Sequence, residues 1–361
     1  MKTLYQKIEN GERINTSEAL LLAHQGDFHE LGRLAREKSI QKNGKKIAFL
    51  IDRNINYTNV CAARCSFCAF YRPHKHKESY DLSFEAIDQK IEETLKLGGT
   101  RILMQGGLHP QHNLDYYIAL ISHIKNKFST LHIHAFSPPE IHHVSQKSGV
   151  SYEEALSSLK KAGLGSMPGG GAEILVDHIR DQIVIGKCNS RQWLEIMETS
   201  HRVGIRSTAT MMMGHVESWE DRIEHLERLR SIQDKTHGFL SFIPWTFQPE
   251  NTALHPRIKR NHQVNLANTF EYLKMLALSR IYLDNFDHLQ VSLLTQGVKV
   301  AQIGLHFGAD DLGSFLIEEN VVRLAGRSQE ISLEKETMAK IILESGYTPF
   351  ERDTFYNTLL N

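Results

Sequence analysis

Apolar positions along this chain follow two rhythms that take turns. A short β-branched or apolar run gives way to a Gly- or Pro-rich turn, and then to a stretch whose apolar residues recur every three or four positions. Ile47-Ala48-Phe49-Leu50-Ile51 predicts a strand. Ile87, Ile91 and Leu95 then fall at helical spacing, and Gly98-Gly99 stops that helix. Arg101-Ile102-Leu103-Met104 predicts the next strand, ending at Gln105-Gly106-Gly107, and Tyr117, Leu120, Ile121 and Ile124 give its helix an apolar face. Leu131, Ile133 and Ala135 alternate with His132 and His134 before Ser137-Pro138-Pro139, and a helix carrying Leu156 and Leu159 follows. Further strands are predicted from Gly163 to Met167, Ser207 to Met213 and Phe239 to Ile243. They end at Gly169-Gly170-Gly171, Gly214-His215 and Pro244-Trp245. Weaker strand patterns lie at Leu289 to Leu293 and Val300 to Leu305.

A repeat of roughly 30 residues matches βα units. In a parallel barrel the Gly-rich and polar strand ends would form the functional face. An open doubly wound sheet has the same periodicity, so the pattern alone admits both. Before the repeat, Asn15-Thr16-Ser17 offers an N-cap ahead of Glu18-Ala19-Leu20-Leu21-Leu22, and the polar stretch around Gly44 marks a boundary. The organisation expected is a helical extension over 1–44, an α/β unit over 45–330, and a C-terminal extension with helical elements over 331–361 packed on it.

Composition narrows the class. The 361 residues suit an α/β barrel with added elements, at 41% apolar and 23% charged. Lys plus Arg equal Asp plus Glu at 42 each, which supports neither a nucleic-acid nor a polybasic membrane role. Apolar runs such as Ala19-Leu20-Leu21-Leu22-Ala23 fall far short of the roughly 20 residues that span a bilayer. No signal-peptide core follows the N-terminus, so an unexported, cytoplasmic chain is expected. Four cysteines, three of them within eight positions, argue against a disulfide framework and for metal or redox chemistry.

Those three are Cys61, Cys65 and Cys68, at C-x₃-C-x₂-C spacing. Thiolates ligate iron–sulfur clusters, and three on one short loop can hold three corners of a cubane, leaving one iron open to a small molecule. The rival is zinc, completed by His74 and His76, although zinc sites usually pair C-x₂-C with a second pair of ligands. Cys188 is either a fourth ligand or a packed lone thiol.

The spacing, with Phe67 just before the last cysteine, resembles the radical S-adenosylmethionine (SAM) signature. The resemblance implies a radical SAM TIM-type (β/α) barrel, a [4Fe-4S] cluster and SAM. It also implies a 5′-deoxyadenosyl radical and a flavodoxin- or ferredoxin-type electron donor. Asn54-Ile55-Asn56-Tyr57-Thr58-Asn59-Val60-Cys61, Cys68-Ala69-Phe70-Tyr71-Arg72, Gln105-Gly106-Gly107-Leu108-His109-Pro110 and Pro168-Gly169-Gly170-Gly171-Ala172-Glu173 resemble one branch of that superfamily. That branch acts in futalosine-dependent menaquinone synthesis and deazaflavin cofactor synthesis. His134-Ala135-Phe136-Ser137-Pro138-Pro139-Glu140-Ile141, Ser207 to Met212 and Trp245 to Thr252 look most like its cyclic dehypoxanthine futalosine synthases. These act on a nucleoside-derived small molecule by hydrogen abstraction from ribose C4′ and ring closure onto an aromatic ring. Aminodeoxyfutalosine synthases and the deazaflavin-cofactor enzymes are the alternatives within the branch.

The same resemblance suggests site residues. Gly106 and Gly107 offer close backbone approach to SAM or form a plain turn, and the family's frequent Gly-Gly-Glu is Gly-Gly-Leu here. Glu173 is expected to bind the SAM ribose or to favour a helix N-terminus, and Arg180 to pair with the SAM carboxylate or lie exposed on a helix. Ser137 and Glu140 face cofactor or substrate, or cap the next helix. Gln248 and Asn251 are candidates for substrate binding. His109 and His215 are candidates for the final proton loss, against a structural role for each. Met211, Met212 and Met213 read as packed strand residues.

Overall fold

The computed structural model describes residues 1–260, 266–326 and 334–359. Eight parallel strands follow one another round a ring: β1 (Lys46–Ile55), β2 (Arg101–Met104), β3 (His132–Ala135), β4 (Ser166–Met167), β5 (Arg206–Met213), β6 (Phe239–Thr246), β7 (His288–Leu289) and β8 (Asp311–Leu316). The order is β7-β6-β5-β4-β3-β2-β1-β8. A parallel bridge between Gln290 and Asp311 joins the two ends, with Val291 N–H donating to Asp311 C=O at 3.0 Å and Asp310 N–H to Leu289 C=O at 3.0 Å. The barrel is therefore closed, which decides between the two architectures the periodicity allowed.

Alternation along each strand decides what enters the barrel. Arg101, Leu103 and Gln105 line a central cavity, whereas Ile102 and Met104 are buried in an outer apolar layer with Ile87, Ile91, Leu120 and Ile124. His134 faces in between the outward Ile133 and Ala135. Thr208 and Thr210 face in, while Ala209 and Met211 pack outward against helices. The outer positions are apolar and the inner ones rich in hydrogen-bonding groups, so the core is the helix–strand layer and the barrel axis holds a cavity with many polar lining groups.

Local signals set the helices. Asn15 forms a reciprocal capping box with Glu18, its Oδ1 accepting from Glu18 N–H at 2.9 Å and its own N–H reaching Glu18 Oε2 at 2.8 Å. It opens the helix Thr16–Gln25. Ser83 caps Phe84–Lys96, which buries Ile87 and Ile91; such a cap is worth about 1 kcal/mol. Leu95 of that helix is exposed.

Four expectations need correction. Val300 to Leu305 lies in a helix, Val298–Leu305. Leu289 to Leu293 contributes only the end of β7 and then the helix Leu293–Gln296. Gly163 to Met167 holds a strand of just two residues, Ser166–Met167. The last segment is not only helical. After the helix Lys335–Glu344 comes β9 (Thr348–Glu351), which pairs in parallel with Lys46–Phe49 at the beginning of β1. The chain then turns under the barrel. Tyr356 stacks on His288 with ring centroids 3.4 Å apart and donates to Asp311 at 2.5 Å. Arg352, Thr354 and Tyr356 thereby floor the cavity at the N-terminal end of the strands. Among the described residues, no helix is long and apolar enough to cross a membrane.

Candidate active site

The cysteine loop follows β1 and is pinned by backbone hydrogen bonds from three directions. Ala62 N–H reaches Leu108 C=O at 2.9 Å, Arg64 and Ser66 N–H reach Ile185 and Ile183 C=O at 2.9 Å each, and Ser66 C=O accepts from Leu254 N–H at 2.7 Å. Cys61 Sγ accepts from Leu108 N–H at 3.3 Å, the kind of amide contact that tunes a cluster sulfur. Close approach explains the two glycines: a Cβ on Gly107 would meet Val60 O at 2.2 Å, and one on Gly106 would meet the Tyr57 ring at 2.5 Å.

Cys65 is buried, and Cys61 and Cys68 are partly so. Burial pushes the Cys65 thiol up to about 12, with the Lys187 charge pulling against it. Burial raises Cys61 too, again opposed by donors and by Lys187. The three sulfurs do not all lie within 4.8 Å of one another. A single tetrahedral zinc would hold its thiolates about 3.8 Å apart. Three thiols on a rigid, largely apolar loop with Leu108 and Val184 beside them suit a cubane corner set better.

Glu173 stands across from that loop in a left-handed conformation, φ +44°. It is 4% exposed and lines the cavity. Its Oε1 holds Lys187 Nζ at 3.0 Å, while its Oε2 is buried without a partner. A buried carboxylate oxygen left open over a cavity is a ready acceptor for vicinal hydroxyls. Lys187 also lies 5.3 Å from the Phe67 ring centroid. Burial opposes its charge, but Cys65, Glu173 and Cys68 together outweigh that and keep its pKa above the ordinary range. Lys187 was missed from sequence; only its place beside Cys188, after the turn at Gly186, could have signalled it.

The other expected site residues divide. Glu140 is 1% exposed and fully engaged: it accepts from Tyr57 Oη at 2.6 Å, Gly106 N–H at 3.1 Å, and Ser137 N–H and Oγ at 2.7 and 2.6 Å. Ser137 and Glu140 thus form a capping box for Pro138–Ser148, and Glu140 ties the Gly106 turn to it. Burial pushes the Glu140 carboxyl up while these donors pull it down. Arg180 is buried and gives its guanidinium to the carbonyls of Gly171, Ala172 and Cys188, stapling the Glu173 loop from behind. Cys188 is a buried thiol of the apolar core.

His109 stacks on His112 at 3.9 Å and meets Asp81 at 3.1 Å, a group outside the cavity lining. His215 is buried beside Glu217 at 3.1 Å, which also binds Arg222. Gln248 folds back on Thr246 C=O at 3.0 Å, and exposed Asn251 donates to Leu324 C=O at 2.9 Å. None of these four lines the cavity. Met211, Met212 and Met213 are packed in the core.

The cavity, about 290 Å³, runs from Gln105, Gly170 and Glu173 down the barrel axis. It ends on Asp52, Arg101, Ser314, Arg352, Thr354 and Tyr356. Its volume sits near the lower end of the range for small-molecule sites.

Residues 55–229 match the family model described as the radical SAM superfamily, and residues 236–360 match the CofH/MqnC C-terminal region. A cyclic dehypoxanthine futalosine synthase of Halalkalibacterium halodurans is 41% identical, over 99% of this chain and 94% of the relative. A 5-amino-6-(D-ribitylamino)uracil–L-tyrosine 4-hydroxyphenyl transferase of Archaeoglobus fulgidus is 40% identical, over 92% of this chain and 94% of the relative. The crystal structure of methylornithine synthase superposes with a TM-score of 0.74 at 18% identity, covering 96% of this chain and 97% of that one.

Proposed function

This chain belongs to the radical SAM superfamily and carries the CofH/MqnC C-terminal region, and from that premise we propose that it converts dehypoxanthine futalosine to its cyclic form in menaquinone biosynthesis. The family uses a [4Fe-4S] cluster and SAM, which when bound supply a 5′-deoxyadenosyl radical. Cys61, Cys65 and Cys68 are the residues here that would hold the cluster. Glu173 Oε2, buried and unpartnered, would take the SAM ribose hydroxyls, with Lys187 fixing the other oxygen of the same carboxylate. Gln105 and the Gly169-Gly170-Gly171 turn shape the mouth of the barrel, and Ser137 and Glu140 hold the Gly106 turn rigid behind it.

In this reading the substrate loses a hydrogen atom from ribose C4′, closes onto its aromatic ring, and then gives up one proton and one electron, the electron passing to the oxidised form of the electron-transfer protein. A flavodoxin- or ferredoxin-type protein delivers the electron that starts the reaction. The barrel contributes exclusion of water and a fixed pose.

The observation that carries the reading is a continuous cavity leading from Glu173 to a closed floor, which suits end-on binding of one nucleoside-derived molecule undergoing an internal ring closure. The H. halodurans relative agrees with it. The similar identity of the A. fulgidus transferase means that identity alone does not select the reaction. Anaerobically reconstituted protein should therefore be offered, separately, dehypoxanthine futalosine, an enolpyruvyl benzoate, and tyrosine with a ribitylaminouracil. The expected result is 5′-deoxyadenosine together with a product two hydrogens lighter than the first substrate. Adducts from either of the other sets, with no cyclised product, would assign the chain to a sibling activity.

A further inference from the structure

We propose that the floor of the cavity is a carboxylate-binding site, in which the free edge of the Arg101 guanidinium and the Thr354 hydroxyl receive an aryl carboxylate of the substrate. The choice of an aryl acid rests on the function proposed above; the site itself rests on the floor's geometry.

Arg101 is the first residue of β2 and is 9% exposed. Its Nε donates to Asp52 Oδ2 at 2.9 Å, and its Nη2 goes to the same oxygen. The other oxygen of Asp52 is taken by the Ser314 hydroxyl. Asp52 thus orients one edge of the guanidinium, and among the described residues Nη1 has no protein acceptor while the side chain lines the cavity. A guanidinium has five donors in a planar fork, so the Nη1–Nη2 edge remains suited to a second carboxylate.

The neighbouring cation is not available in this way. Arg352 sends Nε and Nη2 to Asp311 at 3.0 and 2.6 Å, and Nη1 to Asp353 C=O at 2.9 Å.

Thr354 supplies an independent observation. It is 4% exposed and lines the same cavity, yet its Oγ1 is buried with no hydrogen-bond partner. Leaving a buried hydroxyl unmet is costly unless a ligand satisfies it. The next residue, Phe355, packs edge-on against His132 at 5.3 Å, and His132 is the register partner of Arg101. Arg101 and Thr354 thus line the same cavity, and the segment that carries Thr354 lies against the strand next to that of Arg101.

Distance along the strand relates this floor to the reacting end. At about 3.3 Å per residue, the four steps from Arg101 to Gln105 cover about 13 Å. An aryl acid carrying a ribose and seated by its carboxylate at the floor would present the sugar near Gln105 and Glu173, where the cofactor-facing residues lie. The floor then sets which substrates are accepted, and the C-terminal segment, through Thr354, is part of that choice.

The test compares the substrate acid with its primary carboxamide. Binding to reconstituted enzyme holding methionine and 5′-deoxyadenosine is measured by calorimetry for wild type, Arg101→Lys and Thr354→Val, with iron content and melting temperature checking that each variant folds. The proposal predicts that wild type prefers the acid by at least about 10-fold. Arg101→Lys should lose most of that preference and Thr354→Val several-fold of it. Equal binding of acid and carboxamide by wild type would overturn the proposal without reference to any variant, and so would undiminished preference in a folded Arg101→Lys. Turnover keeps the two readings apart. Cyclisation without acid preference leaves the function and removes the floor site. Acid preference lost in Arg101→Lys, in an enzyme that does not cyclise, keeps the site and removes the assigned reaction.

Discussion

Replacing Lys187 by Met tests how the cluster loop and the Glu173 carboxylate are held together. The pair is close, 3.0 Å, and shielded, with side-chain exposures of 16% and 4%. At an effective dielectric of 20 the gross attraction at that distance is about 5 kcal/mol. Removing one partner of a shielded pair also leaves a buried carboxylate uncompensated, and such deletions cost about 3–5 kcal/mol. For a chain of this length each kcal/mol moves the melting temperature by about 1.3 °C, so Lys187→Met should melt about 4–7 °C lower as the cluster-free protein under reducing conditions. The same change removes the cation that opposes the upward push on the Cys65 thiol, so iron incorporation should fall as well. A double-mutant cycle with Glu173→Gln separates the pair from its surroundings: the double variant should recover about 1–3 kcal/mol relative to the sum of the singles. A Lys187→Met protein within about 1 kcal/mol of wild type, or additive single and double variants, would refute this reasoning.

Gly107→Ala should reduce iron content by more than half, because the new Cβ meets the backbone oxygen of Val60 at 2.2 Å and the loop bearing Cys61 has to move; iron assay and the visible spectrum check it. Glu140→Gln should cost about 2–4 kcal/mol in urea unfolding, since an amide cannot accept all four hydrogen bonds now made to the carboxylate. Acid stability follows from the buried histidines: burial holds His225 down to about 3 and His132 down to about 4. The unfolded chain then binds more protons as pH falls below about 6.5, so stability is lost on the way down and each such histidine removes about 2 kcal/mol by pH 5. His225→Asn should flatten the pH dependence of the urea midpoint over that window.

How much of this was legible beforehand depended on range. The cysteine spacing, the Gly-Gly turns and the Asn15 cap are local, so residues near in sequence carried them. Val300 to Leu305 misled because a short apolar run has no decisive period, and Gly297 with its neighbours starts a helix there. The strand Asp311–Leu316 passed unnoticed because Gly313 and Ser314 interrupt its apolar residues and its partner, β1, lies far away in sequence. Arg352, Thr354 and Tyr356 gave no local sign of flooring the barrel, since β9 pairs with the beginning of β1 across most of the chain. Glu140 and Arg180 were recognisable as polar residues near strand ends, but only the folded arrangement shows their acceptors and donors turned to backbone and neighbouring side chains. The binding of a ligand was easier to foresee than the division of labour around it.

The most direct measurement follows one atom. Dehypoxanthine futalosine carrying deuterium at ribose C4′ is given to the reduced, reconstituted enzyme with unlabelled SAM, and both nucleoside products are examined by mass spectrometry. The account predicts one deuterium in 5′-deoxyadenosine and none at C4′ of the cyclised product, with both products absent when Cys61, Cys65 and Cys68 are replaced by Ala. Unlabelled 5′-deoxyadenosine, or cyclised product formed without the three thiols, would contradict it.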